Sequence, residues 1–141
     1  MDPAPRAFGD LPVDERLGVP VPFACGTESR SAGSLDGRRV TQCALSRVCG
    51  VCGATLGRPL AFLGSALERD RNAFHFPAAH LECAEALLAM VAGVAEPVLG
   101  QGSVPDPWVL VTTAGFEFVR AGREDEDRRP TFQPNSLLAR R

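Results

Sequence analysis

Two short clusters hold the residues best suited to chemistry, Cys49-Gly50-Val51-Cys52 and His80-Leu81-Glu82-Cys83. Thiolates and imidazoles are the ligands zinc prefers, and four of them in a tetrahedron make a structural site. The cysteines of the first cluster share one tight turn, where Gly50 and Gly53 let the backbone bend until both sulfurs face one point. His80 and Cys83 are three positions apart, which places them on one face of a helix. A thiolate in a first helical turn is further favoured by the helix dipole. The spacing therefore predicts one zinc ion bound by Cys49, Cys52, His80 and Cys83. Such an ion contributes on the order of 10 kcal/mol or more to folding, because the unfolded chain seldom holds a formed site.

Four good ligands leave no open position on the metal, which points to a structural and not a catalytic ion. His80-Leu81-Glu82 does spell the H-x-E fragment of zinc nucleobase deaminases, whose glutamate shuttles protons. That signature puts its CxxC after the H-x-E, and here the order is reversed, so Glu82 reads as a first-turn acid that suits the dipole. A redox role for the CxxC would need a thioredoxin-like βαβ setting, which the pattern does not offer. Cys25 and Cys43 read as small core residues. His75 stands between Phe74 and Phe76, so in a strand it points away from both and reads as a surface histidine, with a second-shell or catalytic role as the sharper alternative.

Arg38, Arg39 and Arg47 flank the cysteine turn and Arg58 follows it, a basic edge suited to nucleic acid, phosphate or an acidic partner. A solvated face is the plainer reading of these arginines. All fifteen basic residues are arginine, tyrosine is absent, and the net charge is -2. That balance gives no global attraction to polyanions. No stretch reaches the roughly 18 to 20 apolar residues a membrane helix needs. The beginning, Met1-Asp2-Pro3-Ala4-Pro5, lacks a basic and then apolar leader pattern. The expected compartment is the cytoplasm, where thiols stay reduced and five cysteines favour metal over disulfide.

The elements that must position these residues are short. Residues 1–24 form a proline-rich arm, and glycines and serines over 26–37 suggest a flexible loop. A short helix is expected over 38–48, with Val40, Leu45 and Val48 on one side. Leu60-Ala61-Phe62-Leu63 and Ala73-Phe74-His75-Phe76 read as strands, and Ser65-Ala66-Leu67-Glu68 has the form of a capping box opening a single turn. Leu81, Ala84, Leu87, Leu88 and Val91 recur at helical spacing within 78–95. Trp108 to Thr113 and Phe116 to Val119 suggest a hairpin turning at Ala114-Gly115, followed over 123–141 by a charged loop and tail.

A cysteine knuckle, a hairpin, and a helix bearing the second ligand pair resemble the treble-clef zinc fingers over residues 49–92. The Cys-x2-Cys and His-x2-Cys spacing is similar to the first finger of LIM domains, although the gap is longer and no second finger follows. The chain also resembles a group of small uncharacterised bacterial and phage proteins through Pro22-Phe23, Val48 to Gly53, Leu56-Gly57-Arg58, and the helix with His80, Cys83 and Ala84. Treble clefs also house HNH-type nucleases, which use a strand histidine beside a helix-borne metal ligand, and His75 occupies a comparable place. These features predict an α+β domain over 25–122 built on a treble clef with an added C-terminal hairpin. The expected function is a zinc-stabilised interaction module that binds a protein partner. The alternatives are a nucleic-acid-binding or HNH-like protein using the arginine edge, and a small biosynthetic enzyme acting at or beside the zinc.

Overall fold

A computed structural model describes residues 11–26 and 30–140, with side chains described as far as residue 136. The first ten residues of the proline-rich arm and residues 27–29 of the glycine-serine loop lie outside the described residues. A two-residue ribbon, β1 (Val13–Asp14) and β2 (Val19–Pro20), opens the described chain. A short 3-10 turn at Phe23–Cys25 follows, and then α1 (Gly37–Ser46). The main sheet has the order β4-β3-β5-β6, from Ala79–His80, Leu60–Ser65, Trp108–Val119 and Thr131–Arg140. Its pairings are all antiparallel. Helices α2 (Ala66–Arg71) and α3 (Leu81–Val91) flank it. No helix among the described residues is long and apolar enough to cross a membrane.

β3 reads Leu60-Ala61-Phe62-Leu63 without alternation because both of its faces are covered. Ala61 and Leu63 join Leu110, Leu87, Val91 and Val21 in a core beneath α3 and the N-terminal segment. Leu60 and Phe62 join Val40, Phe74, Val111 and Phe132 in a second core on the opposite face, beneath α1. The Phe62 ring lies 5.4 Å from Phe74 and 6.2 Å from Phe132, centroid to centroid. Both distances fall in the range where aromatic pairs add to area burial.

Each helix has a local cause. Asp36 caps α1 by accepting hydrogen bonds from the backbone of Arg38 and Arg39 at 2.9 and 3.2 Å. Ser65 and Glu68 form the expected capping box of α2, and Asn72 ends that helix in the left-handed conformation. The buried side of α1 is Val40, Cys43 and Ala44, not the expected Val40, Leu45 and Val48, and Leu45 is 71 % exposed. Helical spacing pairs positions 40, 43 and 44, whereas 45 falls on the outer side.

Four other expectations change. β5 runs unbroken through Ala114-Gly115, so the hairpin partner is β6 beyond the charged loop, with Gly115 opposite Asn135. The residues expected as a tail thus supply a strand over 131–140. Residues 73–76 form only an isolated bridge, Phe74 to Phe132. Between the two ligand pairs the chain inserts α2 between β3 and β4, so these strands pair without a tight hairpin turn.

Candidate metal centre

The first ligand pair sits on a knuckle closed by a bridge between Val48 and Thr55. The Gly53 amide donates to Cys49 O at 2.9 Å, and Gly53 takes a φ of +78°, which favours glycine. A Cβ there would also meet the Phe23 ring at 2.6 Å. The N-terminal segment docks along the knuckle, where the Phe23 and Ala24 amides donate to Val51 O and Gly50 O, both at 2.9 Å. The second pair lies where β4 passes into α3. His80 is the residue immediately before the helix, and Cys83 is in its first turn.

β3 and β4 bring the pairs together, since Leu60 and Ala61 pair with His80 and Ala79. The ligand atoms of Cys49, Cys52, His80 and Cys83 all lie within 4.8 Å of one another, so these four residues could hold one metal ion. His80 Nδ1 is 3.4 Å from Cys52 Sγ and 3.6 Å from Cys83 Sγ. Its Nε2 is 2.8 Å from the Thr55 carbonyl oxygen, which must accept a hydrogen from it. That bond fixes the tautomer and leaves the Nδ1 lone pair facing the sulfurs, the usual support for a ligating histidine.

The backbone is also arranged for negative sulfur. Amides of Val51, Cys52 and His80 point at Cys49 Sγ from 3.3, 3.5 and 3.4 Å. A hydrogen bond from the Cys83 thiol, together with these amides, holds Cys49 down to about 5 against its burial. The same pairing raises Cys83, and burial raises Cys52. The three amides thus favour a thiolate at Cys49, and a bound cation would favour thiolates at all three cysteines.

Cys25 and Cys43 do not join the cluster. Both are buried, Cys25 Sγ lies 3.8 Å from Ala32 O, and burial pushes each thiol up to about 12. Glu82 is exposed on the first turn of α3. The arginine edge is divided. Arg39 lies over the Phe23 ring at 4.2 Å and Arg47 over Phe116 at 4.7 Å, while Arg38 and Arg58 are exposed.

His75 is not the surface residue expected from strand alternation, because its side chain is 20 % exposed and both ring nitrogens face carboxylates. Nδ1 lies 3.1 Å from Glu68 Oε2 and Nε2 lies 3.2 Å from Asp127 Oδ2. Glu68, only 7 % exposed, also accepts from the backbone of Ser65 and His75 and from Gln101 Nε2 at 2.6 Å. These groups line an open cleft of about 760 Å³. The capping box could have flagged Glu68, but nothing local ties His75 to Asp127 or Gln101. β3 separates this cleft from the metal centre, with Leu60 opposite His80 at one end and Ser65, the cap of Glu68's helix, at the other. Five strand steps span roughly 17 Å, so His75 does not support the metal ligands.

No protein family, curated protein or solved structure matches this chain.

Proposed function

We propose that the chain is a zinc-stabilised interaction module whose single zinc is structural and whose surface binds a protein partner. The observation that carries the reading is the completed donor set. Three thiols and one imidazole, the latter already oriented by Thr55, converge on one point. Tetrahedral zinc with bonds of about 2.3 Å to sulfur and about 2.05 Å to nitrogen sets nitrogen and sulfur about 3.6 Å apart. His80 Nδ1 stands 3.4 and 3.6 Å from two sulfurs. Soft sulfur donors favour zinc over magnesium or calcium, and four protein ligands leave no place for a reacting water. The knuckle, the β3–β4 pair and α3 support the treble-clef reading.

A protein partner is preferred to nucleic acid because two of the four edge arginines are stacked on the protein's own rings. Leu45 on α1, 71 % exposed, offers apolar surface that a protein partner would cover. Elemental analysis tests the metal reading. One zinc per chain, with Cys49, Cys52 and Cys83 protected from alkylation, is expected. No zinc with those three thiols freely reactive would overturn it. For the partner, steep salt-dependent binding to DNA or RNA would replace the protein reading with the nucleic-acid one.

A second reading, a small-molecule enzyme, draws on the cleft at His75, where a buried carboxylate orients an imidazole as in acid–base sites. A small ligand that raises the Tm of the wild type but not of H75Q would favour it.

A further inference from the structure

The loop joining β5 to β6, residues 120–130, crosses the cleft and touches the body of the domain at two polar points. One is Arg129, whose Nη1 donates to Gly100 O at 2.7 Å. The other is Asp127, whose Oδ2 lies 3.2 Å from His75 Nε2. Asp127 is further tied to Arg129 at 2.8 Å, but both residues belong to the loop, so that pair does not anchor it.

A neutral imidazole has one N–H donor and one acceptor nitrogen. His75 faces a carboxylate oxygen through each nitrogen, at 3.1 and 3.2 Å, and two carboxylates can both accept only from an imidazolium. Glu68 has the prior claim on Nδ1. It is buried, it is held by Ser65 N, Ser65 Oγ and Gln101 Nε2, and it also accepts from the His75 backbone at 2.9 Å. A neutral His75 therefore keeps its hydrogen on Nδ1 and turns a lone pair toward Asp127. The Glu68 contact survives and the loop contact fails.

We propose that His75 is a proton-controlled latch, which fastens the Asp127 side of the 120–130 loop across the cleft while doubly protonated and frees that side when the imidazole loses a proton, leaving the Arg129–Gly100 contact as the remaining tether. Histidine is the side chain whose charge ordinarily changes between pH 5 and 8. The groups facing it do not titrate there. The hydrogen bonds to Arg129 hold the Asp127 carboxyl well below the usual range. Burial pushes Glu68 up, but hydrogen bonds from His75, Gln101 and Ser65 outweigh it and leave Glu68 below its ordinary value. Gln101 is neutral, and the other charged groups lining the cleft are Arg71 on α2 and Arg120, Glu124, Asp125 and Glu126 on the loop. Release uncovers the Glu68–His75 pair, so the cleft opens as pH rises.

Limited trypsin digestion of the full chain in excess zinc tests the latch, because the loop carries cleavable bonds after Arg120, Arg123 and Arg128. Cleavage rates at pH 5.5 and 8 are divided by those of a free peptide spanning residues 119–131, which cancels the pH response of the protease. The normalised rate is expected to be about tenfold higher at pH 8, the factor given by about 1.4 kcal/mol of lost charge-assisted hydrogen bonding. D127A, altered on an exposed loop, should cleave fast at both pH values, and H75A should do the same. Equal normalised rates in the wild type would overturn the latch, as would a D127A protein that keeps the wild-type pH response.

Discussion

Gly64 lies inside β3, opposite Val109, and nothing about its backbone calls for glycine. Its role is spatial. A Cβ at this position would overlap Glu68 Oε1 and approach Phe74 Cδ1 to 2.8 Å. Gly64→Ala must therefore push both the carboxylate and the ring. Phe74 is 1 % exposed and stacked on Phe62, so moving it costs the about 1–3 kcal/mol typical of an overfilled core. Moving Glu68 strands the buried donors of Ser65, His75 and Gln101, for another loss of about 1–3 kcal/mol. The reduced freedom of alanine in the unfolded chain returns about 0.4–1 kcal/mol. The net expectation is a loss of about 1–5 kcal/mol. At roughly 2.1 cal/mol/K per residue of unfolding entropy, a chain of 141 residues has about 0.3 kcal/mol/K, so Tm falls by roughly 3–17 °C. Circular dichroism melting in excess zinc measures this. A G64A protein melting within about 1 °C of the wild type would refute the packing argument. The G64A/E68A double variant adds a second check, because the G64A penalty should shrink once the carboxylate is gone, and strict additivity would contradict the overlap.

Replacing Cys49 or Cys83 with serine should remove the metal and unfold the domain, since on the order of 10 kcal/mol of binding free energy exceeds the stability of most domains. A C83S chain that keeps the wild-type melting temperature would end the structural-zinc reading. Cys25 and Cys43, pushed up to about 12 by burial, should resist iodoacetamide at pH 8 in the native state and react only in denaturant, as mass spectrometry would show. The folded Glu68 carboxyl lies below its unfolded value, so it adds stability above the unfolded glutamate pKa that is lost as pH falls through the folded one. Urea titrations from pH 7 to pH 3 should therefore show a shallower acid loss for E68Q than for the wild type.

The clustering of Cys49, Cys52, His80 and Cys83 was legible because a site for a metal imposes local spacing on each pair, two residues between the cysteines and two between His80 and Cys83. The capping box at Ser65 and Glu68 and the helix through Leu87 and Val91 were legible for the same reason, as their determinants lie within a few residues. The C-terminal hairpin was not. Ala114-Gly115 looks like a turn, yet it stays extended because β6 pairs along it, with Gly115 opposite Asn135 and Phe116 opposite Pro134. A strand containing Pro134 and Asn135 gives a weak strand signal, and it succeeds here at the edge of the sheet, where a missing donor is tolerated. His75 was misplaced by applying strand alternation where only a single bridge forms. Its Asp127 contact spans a sequence separation that no periodicity encodes.

The docking of Phe23 and Ala24 on the cysteine knuckle carries a consequence for the order of folding. Residues 21–25 leave the ribosome first, but the surface they pair with needs Cys49 and Cys52, and the metal that would fix that turn needs His80 and Cys83 as well. Closing the intervening loops costs entropy that grows only slowly with their length, so the delay is one of sequence and not of energy. Until the ligand helix is made and an ion is captured, the early segment has no seat, and Val21, Ala24 and Cys25 stay exposed. On the structural-zinc reading, the supply of metal would then set how long a nascent chain displays that apolar stretch, and hence how long it can aggregate.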